Sequence, residues 1–151
     1  MQFLSEPFFN ELRTQKQLGY VVMSRPCNTR DVLGAQFMVQ SPKRSCEYIV
    51  ECVNDFLVGM KEKVMNLSEE DFEVQKQAVL VKLAEKDINL SKETYRHWGE
   101  ISTHKYNFER QDKEIEILSE ISLKDFQDMF FKTFFSPQSK RMDLQLTSEA
   151  H

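Results

Sequence analysis

Alternating and helical patterns of apolar residues divide the chain into predicted elements. Residues 33–40 alternate strictly, with Leu33, Ala35, Phe37 and Val39 on one face, which predicts a half-buried strand. Aromatic and β-branched residues predict another strand over residues 20–24. Turn-forming residues at 26–31 separate the two, and so short a connection favours an antiparallel hairpin. Residues 142–147 alternate again and predict a last strand.

A helical period accounts for most of the remaining apolar residues. A short helix is predicted over residues 5–13, with Pro7 either near its N-terminus, where the missing N–H costs little, or kinking a longer helix that begins upstream. From Cys46 to Met60 the apolar positions follow one helix face over about four turns. Capping signals predict three further helices, which begin near Ser68, Asn89 and Ser122.

The order of these elements is helix, two strands, several helices and a strand. This order is typical of an α+β fold, in which several helices pack on one face of an antiparallel sheet. The length of 151 residues is close to the commonest size of one domain, so residues 1–151 are predicted to form a single domain. The charged run at residues 109–116 is interpreted as a solvated helix start rather than as a tail.

Charge and composition narrow the classes of partner. The net charge is −4, and Lys and Arg are interleaved with Asp and Glu, whereas nucleic-acid binding usually needs clustered basic residues. No apolar run approaches the roughly 20 residues that cross a bilayer, so no membrane association is expected. The three cysteines show no Cys-x-x-Cys spacing and are interpreted as reduced, buried thiols, which indicates a cytoplasmic location.

A metal site is one candidate for chemistry. His97, Glu100 and His104 have ligand-type side chains at positions i, i+3 and i+7 of a predicted helix. Seven residues span about 10 Å of helix, however, which is too far for both imidazoles to bind one ion without a bend. The three residues are therefore interpreted as solvated or core-edge side chains. Nucleophile-elbow and phosphate-loop motifs are absent from the sequence.

A second candidate is the pair Arg13 and Tyr20. They flank a polar segment that turns through Gly19 from a helix into a strand, and both can donate hydrogen bonds to a carbonyl oxygen or an oxyanion. The alternative is structural, with Arg13 bridging to Glu11 or Glu6 and the phenol filling a strand position.

Four blocks of sequence resemble a known family. They are residues 12–20 (LRTQKQLGY), 37–41 (FMVQS), 95–101 (YRHWGEI) and 106–110 (YNFER). In order and spacing they are similar to blocks in the C-terminal half of the inverted-zincin metallopeptidases of the insulin-degrading enzyme (insulysin) and pitrilysin type. The likeness covers nearly the entire chain, so the chain resembles the last domain of such an enzyme.

The resemblance implies a division of labour within a parent of four similar domains. The parent would be a zinc metalloendopeptidase, but this chain lacks His-x-x-Glu-His, so zinc would belong to an N-terminal catalytic half and no cofactor to this domain. Arg13 and Tyr20 match family residues that reach toward a zinc-bound peptide in a closed chamber. The expected partners are peptide substrates and the catalytic half. Because some relatives are inactive, the alternative is that the chain is a non-catalytic binding or structural module. An isolated domain would also expose surface that favours self-association.

Overall fold

The computed structural model describes residues 1–30 and 32–148. Within them the chain forms six α-helices, one π-helical turn and a two-stranded antiparallel sheet. The elements in chain order are α1 (Gln2–Phe9), a π-helix (Asn10–Gln15), β1 (Val21–Thr29), β2 (Val32–Gln40), α2 (Cys46–Met65), α3 (Glu69–Leu83), α4 (Leu90–Ser102), α5 (Arg110–Glu120) and α6 (Leu123–Phe134). The predicted α+β class is confirmed.

The predicted hairpin is present, but its strands are longer than expected. The pairing of β1 with β2 runs from Val21 opposite Gln40 to Thr29 opposite Val32. The predicted turn therefore began too early, because Pro26 lies inside β1. In the described sheet β1 has a single neighbour, so a residue without an N–H can be accommodated. Asp31, at the end of the predicted turn, lies outside the described residues.

The predicted helix starts are confirmed by their caps. Ser45, Ser68 and Asn89 each accept a hydrogen bond from the backbone N–H three residues later. At α6 the bonding is reciprocal, because Ser122 Oγ accepts from the Asp125 N–H at 3.2 Å and the Asp125 carboxylate accepts from the Ser122 N–H at 3.0 Å. Pro7 does not lie at the N-terminus of the first helix, as one of the two predictions had it. It lies inside α1.

The predicted last strand is wrong. Residues 141–148 form neither helix nor strand, and the side chains of Met142, Leu144 and Leu146 are largely exposed. Alternation makes a strand only where the segment runs alongside a sheet edge and exchanges backbone hydrogen bonds with it. In the described part of the chain the sheet contains β1 and β2 alone, so this segment pairs with neither strand.

The chain divides into two compact units. The first contains Met1–Leu67 together with the chain from Gln127 onward, and the second is Ser68–Phe126. In the first unit, Phe37 of β2 packs against Phe8 of α1 and Phe134 of α6, with ring centroids 5.0 and 6.1 Å apart. Phe37 thus faces the core as predicted, whereas Leu33, which the alternation placed on the same face of β2, is 78% exposed. The side chains buried most completely are Phe8, Phe56, Leu12, Leu18, Met60 and Val64.

The second unit depends more on polar contacts. Phe72 packs against Phe126 at 5.7 Å, whereas α4 and α5 contain no buried residue. Lys76 Nζ donates to the Ile121 carbonyl at 3.1 Å, and Gln111 donates to the Leu83 carbonyl. Across the described residues, no helix has both the length and the apolar character to cross a membrane.

Candidate functional site

The π-helix places Arg13 at the end of the first helical segment. Lys16 N–H donates to the Glu11 carbonyl, five residues back, at 2.9 Å, and Leu18 N–H donates to the Leu12 carbonyl at 3.0 Å. Leu12 and Leu18 are both buried and hold the two ends of this turn in the core. Single π-turns are uncommon and occur often at functional sites. The sequence predicted an ordinary helix here, so the wider turn is a finding of the structure.

Gly19 is required by the close approach of the chain to the end of β2. A Cβ atom at this position would lie 1.8 Å from the Gln40 carbonyl oxygen, which is far inside van der Waals contact. Only a residue without a side chain lets the backbone pass here before β1 begins. The close approach fixes where Tyr20 leaves the turn.

The structure brings the two predicted site residues together. The Arg13 guanidinium carbon lies 5.8 Å from the centroid of the Tyr20 ring, within the range of a cation–π contact. Tyr20 is 84% exposed and precedes β1, so it is not a strand filler. Glu11 pairs instead with Lys16 at 3.7 Å, and the described residues give Arg13 no acidic partner. The structural alternative is therefore not what the geometry shows, while the catalytic role stays a prediction.

Both residues line an open cavity of about 1030 Å³ in the first unit. The lining is Phe9, Arg13, Thr14, Gln15, Lys16, Gln17, Leu18, Gly19, Tyr20, Pro42, Lys43 and Arg44. Four of these side chains are cationic and none is acidic. Sequence reasoning missed Lys43 and Arg44. The signal was available as two adjacent basic residues directly after β2, but only the fold brings them beside the turn at Arg13.

Local hydrogen bonds shape the loop that carries these two cations. Ser41 Oγ accepts from the backbone N–H groups of Lys43 and Arg44, at 3.3 and 3.0 Å. The Arg44 guanidinium carbon lies 5.3 Å from the centroid of the Tyr48 ring. The side chain is thus positioned without neutralising its charge, because an aromatic face attracts a cation but carries no net charge.

The three residues of the metal hypothesis have separate partners in the second unit. Glu100 accepts from the Asn107 N–H at 3.1 Å and from the Arg110 guanidinium, whose hydrogen bond holds the pKa of Glu100 below its usual range. His97 Nε2 lies 3.8 Å from a Glu93 carboxylate oxygen, and His104 Nδ1 lies 3.1 Å from the Tyr106 hydroxyl. Within the described ranges, no three His, Cys, Asp or Glu side chains are grouped as metal ligands.

Comparisons with known proteins agree on one family. A family profile described as "PQQ synthase PqqF-like, C-terminal lobe domain 4" matches residues 1–98. Human insulin-degrading enzyme is 35% identical over 140 residues, covering 93% of this chain and 14% of that protein. Human nardilysin is 37% identical over 146 residues, covering 95% and 12%, and a nardilysin-like protein of Arabidopsis thaliana is 34% identical over 148 residues, covering 96% and 14%.

A solved structure gives the same result for the fold. The crystal structure of pitrilysin superimposes with a TM-score of 0.80 at 23% identity, covering 91% of this chain and 15% of that one. The chain therefore spans about one seventh of the length of these relatives.

Proposed function

The chain belongs to the PqqF-like C-terminal lobe family, and from this premise we propose that it is the substrate-binding last domain of a zinc metalloendopeptidase. Its similarity to insulin-degrading enzyme and nardilysin supports this proposal. Residues 1–151 would form one domain of four. The parent would hydrolyse peptides in an enclosed chamber, with a catalytic half as the partner of this domain and a cytoplasmic location.

One observation carries the proposal. A guanidinium and an exposed phenol lie beside each other at the wall of an open cavity, with the Arg13 carbon 5.8 Å from the Tyr20 ring. Both groups are hydrogen-bond donors, and donors aimed at one point stabilise the negative charge that develops on a peptide carbonyl oxygen during attack.

The two residues have separable duties. Arg13 is half-buried and anchored in the π-helix, so it presents a fixed positive charge that orients the carbonyl. Tyr20 is exposed and follows the constrained Gly19, so its hydroxyl can reach the same oxygen as charge develops. Zinc, held by the catalytic half and not by this chain, would supply the activated water when bound.

The proposal predicts the effect of Tyr20→Phe in the complete peptidase. Loss of one donor to the oxyanion should lower kcat by about 100-fold while KM changes by less than about 3-fold, because the hydroxyl acts mainly in the transition state. Steady-state hydrolysis of a quenched fluorescent peptide measures both constants.

Tyr95→Phe is the matched control, since Tyr95 is also exposed and lies outside the lining of the cavity. An unchanged kcat in Tyr20→Phe would remove the catalytic role. If the rest of the parent lacks His-x-x-Glu-His, the domain is instead a peptide-binding module without catalytic duty.

A further inference from the structure

We infer that the basic cavity, meaning the cavity formed around Arg13, Lys16, Tyr20, Lys43 and Arg44, selects peptides that carry acidic side chains. This inference rests on the proposed function, because it names the substrate class that the same cavity would take. It goes beyond that function in assigning a specificity role to Lys43 and Arg44.

The local charge of the cavity is opposite to that of the chain. The whole chain has a net charge of −4, yet four Lys and Arg side chains line the cavity and no Asp or Glu does. A concave wall of one sign concentrates the field and raises the local concentration of oppositely charged groups. A peptide carboxylate is the matching group.

The positive charge is not equally available at all four cations. Lys16 is 3.7 Å from Glu11, so part of its charge is compensated. Arg13 lies beside the phenol and has the carbonyl-binding role. Lys43 and Arg44 are exposed, and among the described residues neither forms an ion pair. These two therefore remain to attract a substrate side chain.

The start of the following helix adds little to this field. Arg44 precedes Ser45, the N-cap of the 20-residue helix α2, but Ser45 accepts from the Tyr48 N–H and the first turn carries the acidic Glu47. The lining also includes Phe9, Leu18 and Pro42, which can contact the apolar part of a peptide. Apolar contacts beside cations fit an acidic peptide better than a small inorganic anion.

Binding to the 151-residue chain tests the inference without any requirement for turnover. Two peptides with an uncharged fluorophore, identical except for two Glu replaced by two Gln, are titrated by fluorescence anisotropy. We expect the Glu peptide to bind about 5-fold more tightly, in keeping with exposed charge pairs, and the advantage to shrink as salt is added.

The double variant Lys43→Gln, Arg44→Gln should reduce the ratio of the two dissociation constants to about 1. The control is Lys92→Gln, Lys140→Gln, which removes the same charge from exposed sites outside the cavity and should leave the ratio unchanged. Circular dichroism spectra of both variants are recorded to check that each one folds.

The inference is overturned if the unmodified chain binds both peptides equally, or if the two double variants lower the ratio to the same extent. Its failure is distinct from failure of the proposed function. Equal binding of the peptides together with a low kcat in Tyr20→Phe would reject the acidic selectivity alone. Selective binding with an unchanged kcat would reject the catalytic role alone.

Discussion

Gly19 shows how one residue can determine the geometry of the candidate site. Its backbone runs against the Gln40 carbonyl, and the next residue is the exposed Tyr20. The family-like block at residues 12–20 therefore combines a conformational requirement with two hydrogen-bonding side chains. The conformational part is explained by the packing in the structure, independently of any catalytic role.

A matched pair of glycine substitutions tests this requirement. Gly19→Ala should lower the free energy of unfolding by about 2 kcal/mol or more, because the new methyl group must displace backbone atoms of β2. Gly59→Ala, in the exposed interior of α2 with no atom near the new Cβ, should instead raise it by about 0.5–1 kcal/mol. Urea unfolding measures both. Equal effects would show that the approach to Gln40 relaxes at little cost.

At the scale of elements, the helix starts and the hairpin could be predicted, whereas other features could not. Each helix start is fixed by a cap whose donor lies only three residues away, so the nearby sequence is enough to predict it. The capping residues are Ser45, Ser68 and Asn89. The π-helix at Arg13 differs from an α-helix in which carbonyl each N–H binds. This difference barely changes the spacing of apolar residues, so the sequence pattern did not predict it. The predicted strand at residues 142–147 is absent because strand formation requires pairing with another part of the chain, which local alternation does not reveal. The basic cavity likewise depends on residues brought together by the hairpin.

The junction of α4 and α5 provides a pH-dependent prediction. Arg110 and the Asn107 N–H bond the Glu100 carboxylate and hold its pKa below the usual value, so the contribution to stability is present above the ordinary carboxyl pKa and is lost as pH falls through the lowered one. Glu100→Gln should therefore lower Tm at about pH 7 and have a smaller effect at about pH 3.

Thermal unfolding followed by circular dichroism measures this difference. Glu116→Gln, at an exposed position of α5, is the control and should shift Tm little at either pH. If Glu100→Gln changed Tm by the same amount at both pH values, the carboxylate charge would not stabilise the junction.

At the scale of the whole molecule, exposed apolar surface bears on the predicted self-association. Met142, Leu144 and Leu146 alternate along a segment without a strand partner, and they are 87%, 76% and 82% exposed. Alternating apolar residues that have no strand partner can pair with the edge strand of another copy. The same surface would be available for the partner domain of a longer parent.

Sedimentation velocity over a range of concentrations tests the association. The weight-average mass of the unmodified chain should rise with concentration, and Leu144→Ser, Leu146→Ser should weaken that rise. Val74→Ser, Val81→Ser removes comparable exposed apolar surface from α3 and should leave the rise intact. If both variants behave alike, the association is general hydrophobic contact rather than pairing through this segment.

The wider turn at Asn10–Gln15 has a consequence for how the family-like block can vary. One residue corresponds to about 100° of rotation on an α-helix and to somewhat less on a wider π-helical turn. Deleting a single position there would swing the guanidinium roughly a quarter of the way around the axis and away from the phenol, although every side chain needed for the chemistry would still be encoded. The spacing within this block is thus as strict a requirement as the identity of its residues.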